Sequence, residues 1–92
     1  MEKGGYWPRV VSCRILVVDD ERDVITALRE VLEHNGFKVD SFDDPVLALK
    51  NFKAQLYDLV ILDIKMPEMN GFSFYREIKK VDKNCKICFI TA

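Results

Sequence analysis

Asp58-Leu-Val-Ile-Leu-Asp63-Ile-Lys-Met-Pro67-Glu-Met-Asn-Gly71 is the stretch whose reading decides the fold. Leu59 to Leu62 are four consecutive apolar residues, too few for a helix and continuous enough for a strand covered on both faces. The run ends in the carboxylate of Asp63, and a turn rich in Pro, Asn and Gly follows. A strand-end Asp of this kind stands at the carboxyl edge of a sheet, where open α/β folds hold their ligands.

Working outward, Arg14-Ile-Leu-Val-Val-Asp19-Asp20-Glu21 has the same form, a strand-like run closing on acids. If the two strands are neighbours, Asp19, Asp20 and Asp63 converge. Three carboxylates share a small volume only with a cation between them or a proton on one of them. Read alone, Asp19 to Glu21 serve equally well as an N-cap and acidic first turn favoured by the helix dipole. Asp63 alone could be an ordinary turn residue; the two acid-terminated strands together favour a site.

The rest of the pattern supplies the connections. A helix is expected from Glu21 to Asn35, with the stripe Val24, Ile25, Leu28, Val31 and Leu32 facing the core. His34-Asn35-Gly36 is its stop signal, and the cation-favouring last turn gives His34 a capping place rather than a phosphodonor role. Phe37 to Phe42 alternates like a strand near a sheet edge. Asp43-Asp44-Pro45 opens a second helix with an acidic N-cap and Pro at N1, burying Val46, Leu49 and Phe52. A third helix over 72–81 carries the stripe Phe72, Tyr75 and Ile78, and Lys86 to Ile90 forms a fourth strand. The order β-α-β-α-β-α-β predicts a parallel sheet with right-handed crossovers. Residues 1–13 read as a leader and 14–92 as the domain.

Composition narrows the function classes. Fourteen basic against fifteen acidic residues give a net charge of −1, so no overall field draws the chain to nucleic acid or membrane. No apolar run approaches a membrane span, and the first residues lack the apolar core of a signal peptide. A cytoplasmic chain is expected. Cys13, Cys85 and Cys88 make an odd count that suits a reducing compartment. The C-x-x-C spacing of the last two has no second ligand pair, so both read as buried, inert thiols.

Val17-Val18-Asp19-Asp20-Glu21, Leu62-Asp63-Ile-Lys-Met66-Pro67-Glu-Met69-Asn70-Gly71 and Ile90-Thr91-Ala92 together resemble the receiver domain of two-component response regulators. The resemblance runs from about Cys13 to the last residue. It implies a flavodoxin-like (CheY-like), doubly wound α/β fold with strand order 2-1-3-4. It implies Asp63 as phosphoacceptor, and Mg2+ held by Asp20, Asp63 and the main-chain carbonyl of Lys65. Asp19 would act through a metal-bound water, Thr91 would be the switch hydroxyl, and Ala92 would leave room for the phosphoryl group. Pro67 and Gly71 would shape the loop beneath the site, and the Lys65 side chain lies where receivers tune phosphoryl lifetime. The implied donor is a sensor histidine kinase or phosphotransfer protein, the implied output a downstream protein partner.

A receiver of that kind continues with a further helix, strand and helix, which bring the lysine and the aromatic residue that complete its switch. The chain is therefore expected to be a C-terminally truncated receiver, its fourth strand a bare edge open to self-association. The expected role is a phosphoryl acceptor rather than an enzyme in its own right. The alternative is a binding module without phosphotransfer. A magnesium phosphohydrolase would want an acid where Lys65 stands, and a nucleotide-binding fold would want a glycine-rich loop after the first strand.

Overall fold

Residues 13–90 are described by a computed structural model, in which the four strand-like runs form one parallel sheet. The elements in chain order are β1 (Arg14–Val18), α1 (Arg22–His34), β2 (Lys38–Phe42), α2 (Pro45–Asn51), β3 (Leu59–Asp63), α3 (Gly71–Val81) and β4 (Lys86–Ile90). The sheet runs β2-β1-β3-β4, the doubly wound order expected. Residues 1–12, where a leader is expected, and Thr91 and Ala92, the expected switch hydroxyl and small residue, lie outside the described residues.

Alternation along each strand divides the core in two. Leu16, Val18, Val60 and Leu62 turn to one face, where Ala48 of α2 and Phe74 and Ile78 of α3 close over them. Ile15, Val17, Val39 and Ile61 turn to the other, against Ile25 of α1. β1 and β3 are therefore covered on both sides, which is why they read as continuous apolar runs. β2 is an edge strand, as its alternation indicates.

Local chemistry sets the helix ends. Asp44 Oδ1 accepts from the Val46 N–H at 2.9 Å, with Pro45 at N1. Asn70 Oδ1 accepts from the Ser73 N–H at 2.9 Å and starts α3. Gly36 takes φ +91° just past the end of α1, the left-handed conformation that suits glycine.

Three helix stripes sit differently from their expected places. In α1, Val31 is 61% exposed while Ile25 is buried and Leu28 and Leu32 pack partly beneath it. In α2 the buried face is Pro45 and Ala48, with Leu49 and Phe52 at its margin and Val46 outside. In α3 it is Gly71, Phe74 and Ile78; Phe72 is 51% exposed and Tyr75 also lies at the surface. Each helix carries apolar residues on two adjoining faces, and the sheet covers only one. Cys85 is buried as expected, but Cys88 is exposed. It lies on the α1 face of β4, whereas α1 packs over β1 and β2.

Candidate functional site

The acidic site follows from register. Val18 pairs with Leu62 across β1 and β3, so the next residues, Asp19 and Asp63, emerge side by side at the carboxyl edge. One carboxylate oxygen from each of Asp19, Asp20 and Asp63 lies within 4.8 Å of the other two. Asp63 is 6% exposed and Asp19 3%, while Asp20 faces solvent. The structure thus brings together the three acids that the two strand endings marked.

Main-chain donors orient the two buried acids. The Lys65 N–H donates to Asp63 Oδ1 at 3.2 Å, and the Glu21 N–H donates to Asp19 Oδ1 at 2.9 Å. Neither contact is visible in the sequence, because any residue except proline can supply it. Burial pushes the Asp63 carboxyl above the usual carboxylate range, and the hydrogen bond and charge of Asp20 add to this; the Lys65 N–H and Asp19 oppose it. Burial also raises Asp19, reinforced by the charges of Asp63, Asp20 and Glu21 and opposed by the Glu21 N–H. Crowded, partly dry acids of this kind are the donor set a small hard cation takes.

The floor of the site is a close backbone crossing. The Gly71 N–H donates to the Ile64 carbonyl at 2.8 Å, and the Ile64 N–H donates to the Ile90 carbonyl at 3.2 Å. A Cβ on Gly71 would meet the Asp63 carbonyl oxygen at 2.7 Å and Ile64 Cα at 2.8 Å. Only a residue without a side chain lets α3 start so close beneath the acid. Beside the loop lies an open cleft of about 560 Å³ lined by Ile64, Lys65, Met66, Pro67, Asn70 and Phe72. Lys65 is exposed there, and Met66 is buried against the core of the α2–α3 face.

The model of the response regulator receiver domain matches residues 15–92. The chain belongs to this family. PrrA of Mycobacterium leprae, a transcriptional regulatory protein, is 36% identical over 83 residues, which are 90% of this chain and 36% of PrrA. The receiver thus spans about a third of the length of the curated relatives it matches first. Among solved structures, the response regulator TrrA of Thermotoga maritima in complex with Mg2+-BeF superposes with a TM-score of 0.78 and 42% identity, covering 87% of this chain and 70% of that one. TrrA in complex with the histidine kinase ThkA superposes at 0.79 with 45% identity, covering 87% and 69%. No helix among the described residues is long and apolar enough to cross a membrane.

Proposed function

We propose that this receiver domain accepts a phosphoryl group on Asp63 from a phosphohistidine of a sensor kinase or phosphotransfer protein. The observation that carries the reading is the clustering of three acids, two of them buried, at the end of β1 and β3. An Asp63 oxygen attacks phosphorus, the bond from phosphorus to the donor imidazole nitrogen breaks, and its electron pair leaves with the imidazole. The Lys65 N–H holds the carboxylate in place for that attack.

The donor set fits Mg2+: Asp20 and Asp63 would hold it directly with the Lys65 carbonyl, and Asp19 through a water. When bound, Mg2+ neutralises the crowded acids and the charge on the phosphoryl oxygens. Thr91, one residue beyond β4, supplies the hydroxyl that responds to the phosphoryl group, and Ala92 leaves it room. The Mg2+-BeF complex of TrrA and its complex with ThkA support both the cation and the kinase as partners. The setting is the cytoplasm, with residues 1–13 as a leader and 14–92 as the receiver portion, signalling through a downstream protein.

A two-dimensional amide spectrum recorded with Mg2+, before and after beryllofluoride, tests this. The expected result is a set of shifts centred on Asp63, Lys65 and the end of β4. A dispersed spectrum that beryllofluoride leaves unchanged would reduce the domain to a binding module.

A further inference from the structure

We propose that Asn35 is a deamidation site in the folded protein, and that the fold shields a second Asn-Gly pair, Asn70-Gly71, from the same reaction. The sequence holds both pairs, Asn35-Gly36 and Asn70-Gly71. The main-chain nitrogen after an asparagine can attack the side-chain amide carbon, and glycine, with no Cβ, lets it approach most closely. Asn51 and Asn84 precede Phe52 and Cys85 instead, whose side chains obstruct that approach.

In the reaction the Gly36 nitrogen gives up its proton to a solvent base and bonds to Asn35 Cγ. The bond from Cγ to Nδ2 breaks, and the nitrogen takes up a proton and leaves as ammonia. A water then opens the succinimide at either carbonyl, giving aspartate or isoaspartate. One water enters, one ammonia leaves, and nothing is oxidised. The attack requires the glycine N–H to be released and the peptide between the two residues to rotate toward Cγ.

At Asn70 the fold opposes both. Gly71 is buried, and its N–H donates to the Ile64 carbonyl at 2.8 Å. The Ser73 N–H holds Asn70 Oδ1 at 2.9 Å. The Gly71 backbone lies so near β3 that a Cβ there would meet the Asp63 carbonyl oxygen at 2.7 Å. Turning the Gly71 nitrogen toward Asn70 Cγ would break its bond to Ile64 and lift the first turn of α3 from the acid-bearing strand. Such a step is a sub-global opening.

Asn35 is the exposed C-cap of α1, at the edge of the sheet opposite the acids. The Gly36 N–H donates to the Glu33 carbonyl at 3.1 Å, one bond in a last helical turn, where fraying costs little. Among the described residues, a Cβ on Gly36 would meet nothing within 4 Å. The Asn35–Gly36 peptide therefore has room to rotate, and the backbone freedom of glycine absorbs the turn. Beyond it the Phe37 N–H donates to the Leu32 carbonyl at 3.1 Å and the Lys38 N–H to the Cys13 carbonyl at 3.0 Å. Those bonds confine the movement to the turn. Asn35 Nδ2 donates to the Val31 carbonyl at 2.7 Å, so the anchored group is the one that leaves, and Cγ stays open to attack. The product carries a carboxylate near Glu33 at the helix end, where the dipole disfavours negative charge, and it can no longer donate to Val31.

The full chain is aged in warm, mildly alkaline buffer, and its tryptic peptides are mapped over time. Isoaspartate is read with an isoaspartyl methyltransferase and labelled S-adenosylmethionine. The expected result is mixed aspartate and isoaspartate at position 35, formed about tenfold or more faster than at position 70. In urea the two sites should react at comparable rates. Asn35→Gln, whose longer side chain must close a larger ring, should abolish the early ammonia release with an unchanged circular dichroism spectrum. Equal rates at the two sites in the folded chain, or reaction first at Asn70, would overturn the proposal. So would a difference that persists undiminished in urea, which would belong to the sequence and not to the fold. If Asn35→Gln unfolds, the peptide map of the parent chain decides alone.

Discussion

At the residue scale, Asp63 and Asp19 store unfavourable charge. Both carboxyls are raised above the ordinary range, chiefly by burial. A raised folded-state value means that these groups favour folding at acid pH, below the unfolded carboxylate range. That contribution is lost as pH rises through the folded value. At neutral pH without a cation, the ionised acids oppose folding. Asp63→Asn should therefore raise the melting temperature of the metal-free protein, by about 4–8 °C for each kcal/mol of repulsion removed. Added Mg2+ should stabilise the parent and do much less for the variant; thermal scans with and without Mg2+ check both.

Tyr57 is a third titrating group, and it serves the frame rather than the site. Its hydroxyl donates to Asp40 Oδ2 at 2.8 Å, and Arg14 pairs with the same oxygen at 3.6 Å. Burial first, then Asp40, pushes the phenol up to about 12 from its ordinary 10, with Arg14 opposing. The neutral phenol is the form the fold prefers. Its contribution is complete below pH 10 and is lost as pH rises through about 12. Tyr57→Phe should cost about 1.5–3 kcal/mol at pH 7 and flatten the alkaline limb of a stability profile measured by urea denaturation.

At the element scale, the loop from β3 to α3 depends on one missing side chain. Gly71→Ala would press a methyl group onto the Asp63 and Ile64 backbone. It should cost about 1–3 kcal/mol as an overpacked contact and slow phosphorylation more than Asp44→Ala does. The latter removes the α2 cap for about 1 kcal/mol at a distance from the acids. Urea midpoints and phosphorylation rates of the two variants separate the effects.

Elements differ in how far their sequence alone specifies them. β3 and β4 could be read to the residue, because apolar runs bounded by acids, turns and lysines leave little freedom of register. The convergence of Asp19, Asp20 and Asp63 was legible because both strands end in acids. The buried faces of the helices were less so. Phe72 and Phe74 are equally apolar, and periodicity alone does not say which one meets the sheet. That choice belongs to the docking angle of α3, which the Gly71 crossing helps to set. Cys88 misled for a related reason: its strand is apolar, but α1 does not reach across to cover it. The main-chain donors to Asp63 and Asp19 leave no mark in a sequence at all.

At the scale of the whole molecule, the sheet separates two small cores, and Phe74 is the largest fully buried side chain among the described residues. A chain of this length has about 5–14 kcal/mol of stability to lose. Phe74→Ala should remove about 3–5 of it, leaving a visibly unfolded fraction in a denaturant titration.

Phosphoryl transfer to Asp63 is the step on which the proposed function rests. Incubation of the chain with Mg2+ and phosphoramidate, whose phosphorus–nitrogen bond mimics phosphohistidine, followed by intact-mass measurement, tests it most directly. One added phosphoryl group, mapped to Asp63 and absent from Asp63→Asn, is the predicted result. An unchanged mass in a folded sample, or a phosphoryl group mapped to another residue, would contradict it.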